Sequence, residues 1–402
     1  MRLPRSCAAP ITPTRSAVQS AWGAGVLALT VTVALLLPGC ASSDGSWGGS
    51  SPQTPTSTSP QAIAGGDLDP TLLREMGLTV RWIYDLELAS RTGITDLEVL
   101  EDLVVAVEGP DNFITAIDAD AGTYQWKTLI GLDLESLYRP LRTGDGSLGG
   151  DRIFVNSAAR FFTLDPGTGR LTGVQSLEAP VTAGAELIGD LAVFGAAKGM
   201  AFAHDVDAGY AKWRYRMTGR LVSPPVRANE TTVFLGDEAG TYVMLDVGSG
   251  DPVFRNDVFG PIVAPAAVHR GDLLVPSADR TLYALDRATG NESWAYRADS
   301  PLRDSPLSVG RDIYLPASGG GLIALDSRGQ VRWESSLNAT PVLASDEGIL
   351  ALGTNALLLF DPDTGKVKQS VKAAGLAAAT PAANGSLILR MNSGRLVRLD
   401  PN

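Results

Sequence analysis

The chain has 402 residues, 44% of them hydrophobic, with 44 Gly, 25 Pro and a formal net charge of −11. That Gly and Pro content suits many short strands joined by turns, and the acidic balance argues against nucleic-acid binding, which is driven by phosphate neutralisation. Only two Cys and two His are present, so disulfide frameworks, metal clusters and Ser–His or Cys–His catalysis have little raw material.

The first 39 residues carry Arg2, Arg5 and Arg15 and no acid, so the remainder carries −14. An apolar run from Trp22 to Pro38 follows and ends in "LLLPGC". A basic start, an apolar stretch and a small-residue end read as an export signal over 1–39. The ending resembles a lipobox, with Leu37, Gly39 and then Cys40; the resemblance implies that the Cys40 thiol receives a diacylglyceryl group and becomes the mature N-terminus. The competing reading is a retained transmembrane anchor, for which about 17 apolar residues sit at the short limit. Residues 40–75 are expected to form a lipidated tether. Its stretch 41–66, "ASSDGSWGGSSPQTPTSTSPQAIAGG", is too polar and Gly/Pro-rich to bury a core. With Cys7 removed and Cys40 lipidated, the body of residues 76–402 has no thiol and is expected to hold no disulfide.

A strand comes next. "LTVRWIYDL", residues 78–86, carries Trp82 with no Asp–Gly turn before it. Beyond it a unit recurs: "AIDADAGTYQW" at Asp118, "TLDPGTGRLTG" at Asp165, "AHDVDAGYAKW" at Asp205 and "MLDVGSGDPVF" at Asp246. It continues with "ALDRATGNESW" at Asp286, "ALDSRGQVRW" at Asp326, "LFDPDTGKVKQ" at Asp361 and a truncated "VRLDPN" at Asp400. The Asp-to-Asp steps are 47, 40, 41, 40, 40, 35 and 39 residues. The apolar run before each Asp is rich in β formers and reads as a strand buried on both faces. The Asp can close a turn on its own backbone, and the Gly supplies a positive φ. The Trp falls on the following strand, where it can cover a neighbouring unit, so Trp294 is expected to be largely buried. A unit of four short strands cannot bury its faces alone; stacked copies predict an all-β, eight-bladed propeller. The last repeat stops before its fourth strand, and the strand at 78–86 is expected to complete that blade.

The unit "LYALDRATGNESW", best at Ala284 to Trp294, resembles the pyrroloquinoline-quinone-type (PQQ-like) propeller repeat. The match is fair at Ala116 to Trp126 and loses its Trp at Asp165, Asp246 and Asp361. Together with a lipobox and a tether, eight such blades resemble the assembly-factor-B type of lipoprotein from the outer-membrane β-barrel insertion machine. That resemblance implies a lipid-anchored, extracytoplasmic, monomeric scaffold, bound to envelope proteins of unidentified kind, with no cofactor and no enzymatic role. The second reading is a protein that binds PQQ or another small molecule, as a sensor or a quinoprotein dehydrogenase. Enzymes of that class resemble larger propellers with a calcium site and adjacent cysteines, and the body here lacks cysteine.

Turn capping accounts for "DADAG", "DVDAG" and "DPDTG" as well as for "DPGTG" and "DRATG", so these are not read as calcium loops. No catalytic, cofactor or metal residue is assigned. What remains is a binding surface on the loops joining blades. The longest Asp-to-Asp step holds an insertion at 131–152 with Tyr138, Arg139 and Arg142, residue types favoured at interaction hot spots. Arg220 in "RMTGRLVS" and Leu302 with Arg303 in "ADSPLRDSP" join them as candidate partner contacts. Acidic neighbours, among them Asp133, Glu135, Asp299 and Asp304, break any clean basic patch.

Overall fold

The computed structural model describes residues 67–402 except 90–91, 133–134, 145–148 and 318–319. Cys40, the expected signal and the 41–66 tether lie outside the described residues. Within them the chain forms eight four-stranded antiparallel sheets. Blade 1 spans 93–129, blade 2 141–176, blade 3 186–216 and blade 4 226–257. Blade 5 spans 267–297, blade 6 307–335 and blade 7 340–372. Blade 8 takes three strands from 376–401 and its outermost from Leu78–Asp85, which pairs antiparallel with Arg395–Pro401 from Leu78↔Pro401 to Asp85↔Arg395.

The two middle strands of a blade are apolar on both faces, as at Leu103–Gly109 and Thr281–Asp286. Each face meets a different neighbour, so the core is divided. Eight apolar clusters form, each drawn from two consecutive blades: blades 1 and 2 around Phe162 and Trp126, 3 and 4 around Val233 and Trp213, 5 and 6 around Leu274 and Leu325. No blade is stable by itself, because half of its apolar surface is covered by the next one.

The Asp–Gly turns explain the repeat. Asp118 accepts the N–H groups of Asp120 and Ala121 at 2.9 and 2.7 Å, and Asp286 accepts those of Ala288 and Thr289 together with the Thr289 hydroxyl. Gly122 and Gly365 both have φ +67°. A Cβ there would also fall 2.5 Å from the Trp82 ring and 2.4 Å from the Trp333 ring. Six of the turns therefore slide beneath an aromatic of the preceding blade, and the turn at Gly209 meets Gln175 instead. The indole N–H of that aromatic reaches the carbonyl just after the turn Asp: Trp82 to Ala119 (2.9 Å), Trp126 to Pro166 (2.7 Å), Trp213 to Val247 (2.6 Å) and Trp333 to Pro362 (2.8 Å).

Trp294 departs from the expectation. It is only half-buried, and its Nε1 is buried without a partner. The turn it covers, Asp326 to Gly329, is one residue shorter than the others, so the carbonyl that would accept its N–H is not presented.

Residues 67–75, expected to belong to the tether, pack against the propeller. Asp69 caps a short helix, Pro70–Glu75, by accepting the N–H of Thr71 at 2.7 Å, with Pro at the first helical position. Leu68, Leu73 and Met76 are buried in the cluster between blades 7 and 8. The Gln369 amide, at the position of the Trp in blade 7, donates to Glu75. The helix thus occupies the place of the Asp–Gly turn that blade 8 lacks.

Candidate interaction face

The segments joining one blade to the next emerge on the same face as the connections between second and third strands. The Asp–Gly turns lie on the other face. The joining face is the irregular one, and on a propeller scaffold that is where binding concentrates.

Its most prominent side chain is Phe259, 98% exposed at the tip of the segment between blades 4 and 5. The tip is held from both sides. Val258 donates its N–H to Gly240 O at 2.8 Å, Ile262 to Asp237 O at 3.0 Å, and Ala278 to Pro261 O at 2.9 Å. Asp237 is fully buried; its carboxylate accepts the N–H groups of Ala239 and Thr241 at 2.9 Å and of Gly219 at 2.6 Å. Gly260 lies so close to Asp279 that a Cβ would fall 2.7 Å from the Asp279 Cβ. Phe259 is therefore presented on braced backbone. Arg220, Arg280 and Arg303 are exposed on loops of this face, interleaved with Glu238, Asp299 and Asp304. The Arg255 guanidinium bonds the Thr218 hydroxyl at 2.7 Å.

The six expected contact residues separate. Arg220 and Arg303 are exposed on the joining face. Tyr138 is half-buried there; burial pushes its phenol pKa up while the nearby Arg220 pulls it down, which puts the two within electrostatic reach. Arg139 turns toward the central channel and pairs with Glu186 at 2.9 Å.

Two expectations are corrected. Leu302 has no exposed surface, being packed in the core between blades 5 and 6. Arg142 lies at the turn end of blade 2, with its side chain 10% exposed. Its Nε bonds Asp151 at 2.9 Å, and its Nη1 bonds the Leu100 carbonyl at 2.9 Å and pairs with Asp102. It clasps blade 1 to blade 2 and is not offered to a partner.

Phe259 was missed. The signal in "NDVFGPIV" was an aromatic outside the strand pattern, set directly before Gly-Pro in a joining segment.

The channel wall carries Asp96, Glu98 and Glu186. Burial pushes the Glu98 carboxyl up to about 7, against the pull of Arg139 and with help from Asp96 and Glu186. Burial also raises Asp96 and Glu186. Among the described residues no group of three or more His, Cys, Asp or Glu is placed to hold a metal. His204 and His269 are both buried. His269 Nδ1 meets Ser308 Oγ at 2.9 Å, but its Nε2 has no partner, so no third group orients the pair as a catalytic triad requires.

A family model described as "Outer membrane protein assembly factor BamB" matches residues 110–239 and 197–347, more than half of the chain. A curated relative from Nitrosomonas eutropha, "Outer membrane protein assembly factor BamB", is 29% identical over 132 residues, 31% of this chain. The match spans 32% of that relative's length. Among solved structures, BamB from Moraxella catarrhalis aligns with TM-score 0.65 at 19% identity, covering 80% of this chain and 97% of that one. The computationally designed Ika8 protein aligns at 0.64 with 16% identity, covering 79% and 98%. At these identities the structural likeness concerns the fold.

Proposed function

The chain belongs to the family described as outer membrane protein assembly factor BamB, and on that premise we propose that it is a non-enzymatic interaction scaffold, lipid-anchored through Cys40 on the extracytoplasmic side of the envelope. The joining face docks its protein partner, with Phe259 as the apolar anchor and Arg220 and Arg303 as flanking polar contacts. The observation that carries this reading is a phenylalanine 98% exposed on a braced loop. An apolar ring held out in water has no folding benefit, and a partner pocket would bury it, the arrangement of a hot spot.

A photo-crosslinking residue at position 259, compared with one at Asp363 on the turn face, tests the reading in intact cells. One envelope protein captured at 259 and not at 363, and lost on Arg220→Glu, is the expected result. Equal capture at both positions removes the joining face from the proposal. The anchor is tested separately. Cys40→Ser should leave the precursor unprocessed or release the protein from membranes; an unmodified Cys40 in the mature protein would sink it. Incubation with PQQ, calcium, alcohols or aldoses and an artificial acceptor should give no turnover, and substrate-dependent dye reduction would promote the enzymatic reading.

A further inference from the structure

We propose that the outer edge of blade 2, strand Leu171–Ser176, accepts an extended, uncharged polypeptide strand from a partner as a fifth strand of that blade. The inference concerns a different surface from the joining face and does not depend on it. The outermost strand of a sheet offers a row of unpaired N–H and C=O groups, and natural proteins protect such edges with charge, proline or bulges. Seven of the eight outermost strands here carry charge, among them Arg81, Lys127, Arg214, Arg255, Arg332 and Lys368. The sequence of the eighth, LTGVQS, has none.

Three further observations point outward. Leu171 and Val174 are 39% and 49% exposed. Gly173 pairs with Thr163 in the register that Trp126 and Trp213 take in their own blades, so no bulky side chain stands there. Two of its polar side chains turn away from the outer edge: the Thr172 hydroxyl donates to Thr163 O of the same blade at 3.1 Å and the Gln175 amide to Val206 O of blade 3 at 2.9 Å. The outward side is left as backbone, aliphatic surface and uncharged hydroxyls. Arg170 and Glu178 bracket it, and Glu178 is held by Arg214 at 2.8 Å.

Main-chain groups supply affinity in strand addition, and side-chain alternation supplies selectivity. The edge selects a strand with small or aliphatic residues over Leu171 and Val174 and no charge in between. A second copy of this chain is the less suited occupant, because two full chains of formal charge −11 repel each other, whereas a neutral strand meets no such opposition.

The test uses the detergent-solubilised full chain and a synthetic heptapeptide of alternating Val and Thr, with acetylated and amidated ends and a central benzophenone. Hydrogen exchange across 171–176 should slow at least tenfold on saturation, and crosslinks should map to that strand. Val174→Lys and, as a milder second variant, Ser176→Lys should abolish both effects while melting with the wild type; Val253→Lys on blade 4 should preserve them. Unchanged exchange across 171–176, protection at another blade edge, or retention in both blade 2 variants overturns the proposal. So does concentration-dependent dimerisation that protects this strand without peptide, which would assign the edge to a second copy.

Discussion

At the junction of blades 3 and 4, Trp213 lies over Gly250 and donates its indole N–H to Val247 O at 2.6 Å. At the junction of blades 2 and 3 the same register holds Gly173, and Gln175, two residues on, donates its amide to the equivalent carbonyl of Val206 at 2.9 Å. The acceptor is conserved in space while the donor changes. A second substitution accompanies the first. His204 stands where most other repeats place Leu, is fully buried, and has Nε2 2.6 Å from Gln175 Oε1. With the Gln amide committed to Val206, its oxygen must accept, so the neutral histidine carries its proton on Nε2. The lesson is that a seam needs a donor reaching the turn carbonyl and a body filling the space above the Gly; one indole supplies both, and elsewhere two side chains share the work.

The sharpest break of this comparison is truncation. Trp213→Ala should destabilise by about 3–5 kcal/mol, the usual range for a buried aromatic, in urea unfolding. Trp294→Ala should cost clearly less, because that ring is half-exposed and its N–H has no acceptor. Equal losses at the two sites would mean that the seam hydrogen bond is irrelevant.

Next in size is removal of the donor with the ring retained. Trp213→Phe should cost about 1–3 kcal/mol, the penalty for a buried acceptor left unpaired. Trp294→Phe should be within about 0.5 kcal/mol of the wild type. Thermal melts of the pair decide whether indole bonding or ring volume closes a seam.

The histidine seam should respond to acid. Burial lowers the His204 pKa against the opposing pull of Asp205 and Glu178, and the adjacent Phe161 ring offers no acceptor for a second proton. Protonation therefore favours the unfolded chain. The stabilisation is complete above about pH 6.5, the unfolded value, and is lost as pH falls toward the lower folded value. Urea midpoints from pH 7.5 downward should show this slope in the wild type and less of it in His204→Leu. An identical slope in both proteins would remove His204 as its source.

The smallest effect should come from the joining face. Phe259→Ala touches no seam and should change stability by no more than about 0.5 kcal/mol, while removing partner crosslinking. A large loss of stability would place Phe259 in the fold, not in recognition.

Much of the architecture was legible in the residues. The Asp-to-Asp spacing, the Gly four residues on and the doubly apolar strand each follow from local backbone chemistry, so eight blades could be counted before any coordinates. The site was less legible. Arg142 and Leu302 look like contact residues by type and loop position, but one is consumed by Asp102 and Asp151 and the other by the core between blades 5 and 6. Phe259 carries no motif; only the bonds from Val258 and Ile262 show that its tip is braced.

What the sequence determined by itself is the repeat: turn, strand and stacking unit are written within about 40 residues of chain, where short-range sterics and hydrogen bonding decide. What only the tertiary structure decided is how each seam closes where the Trp is lost or left unpaired. The acceptor at Val206 and the histidine beside it are in one blade and Gln175 is in another. The helix that replaces the last turn, Pro70–Glu75, meets Gln369 from the opposite end of the chain. Such pairings follow from ring closure, which brings together residues that no local pattern connects.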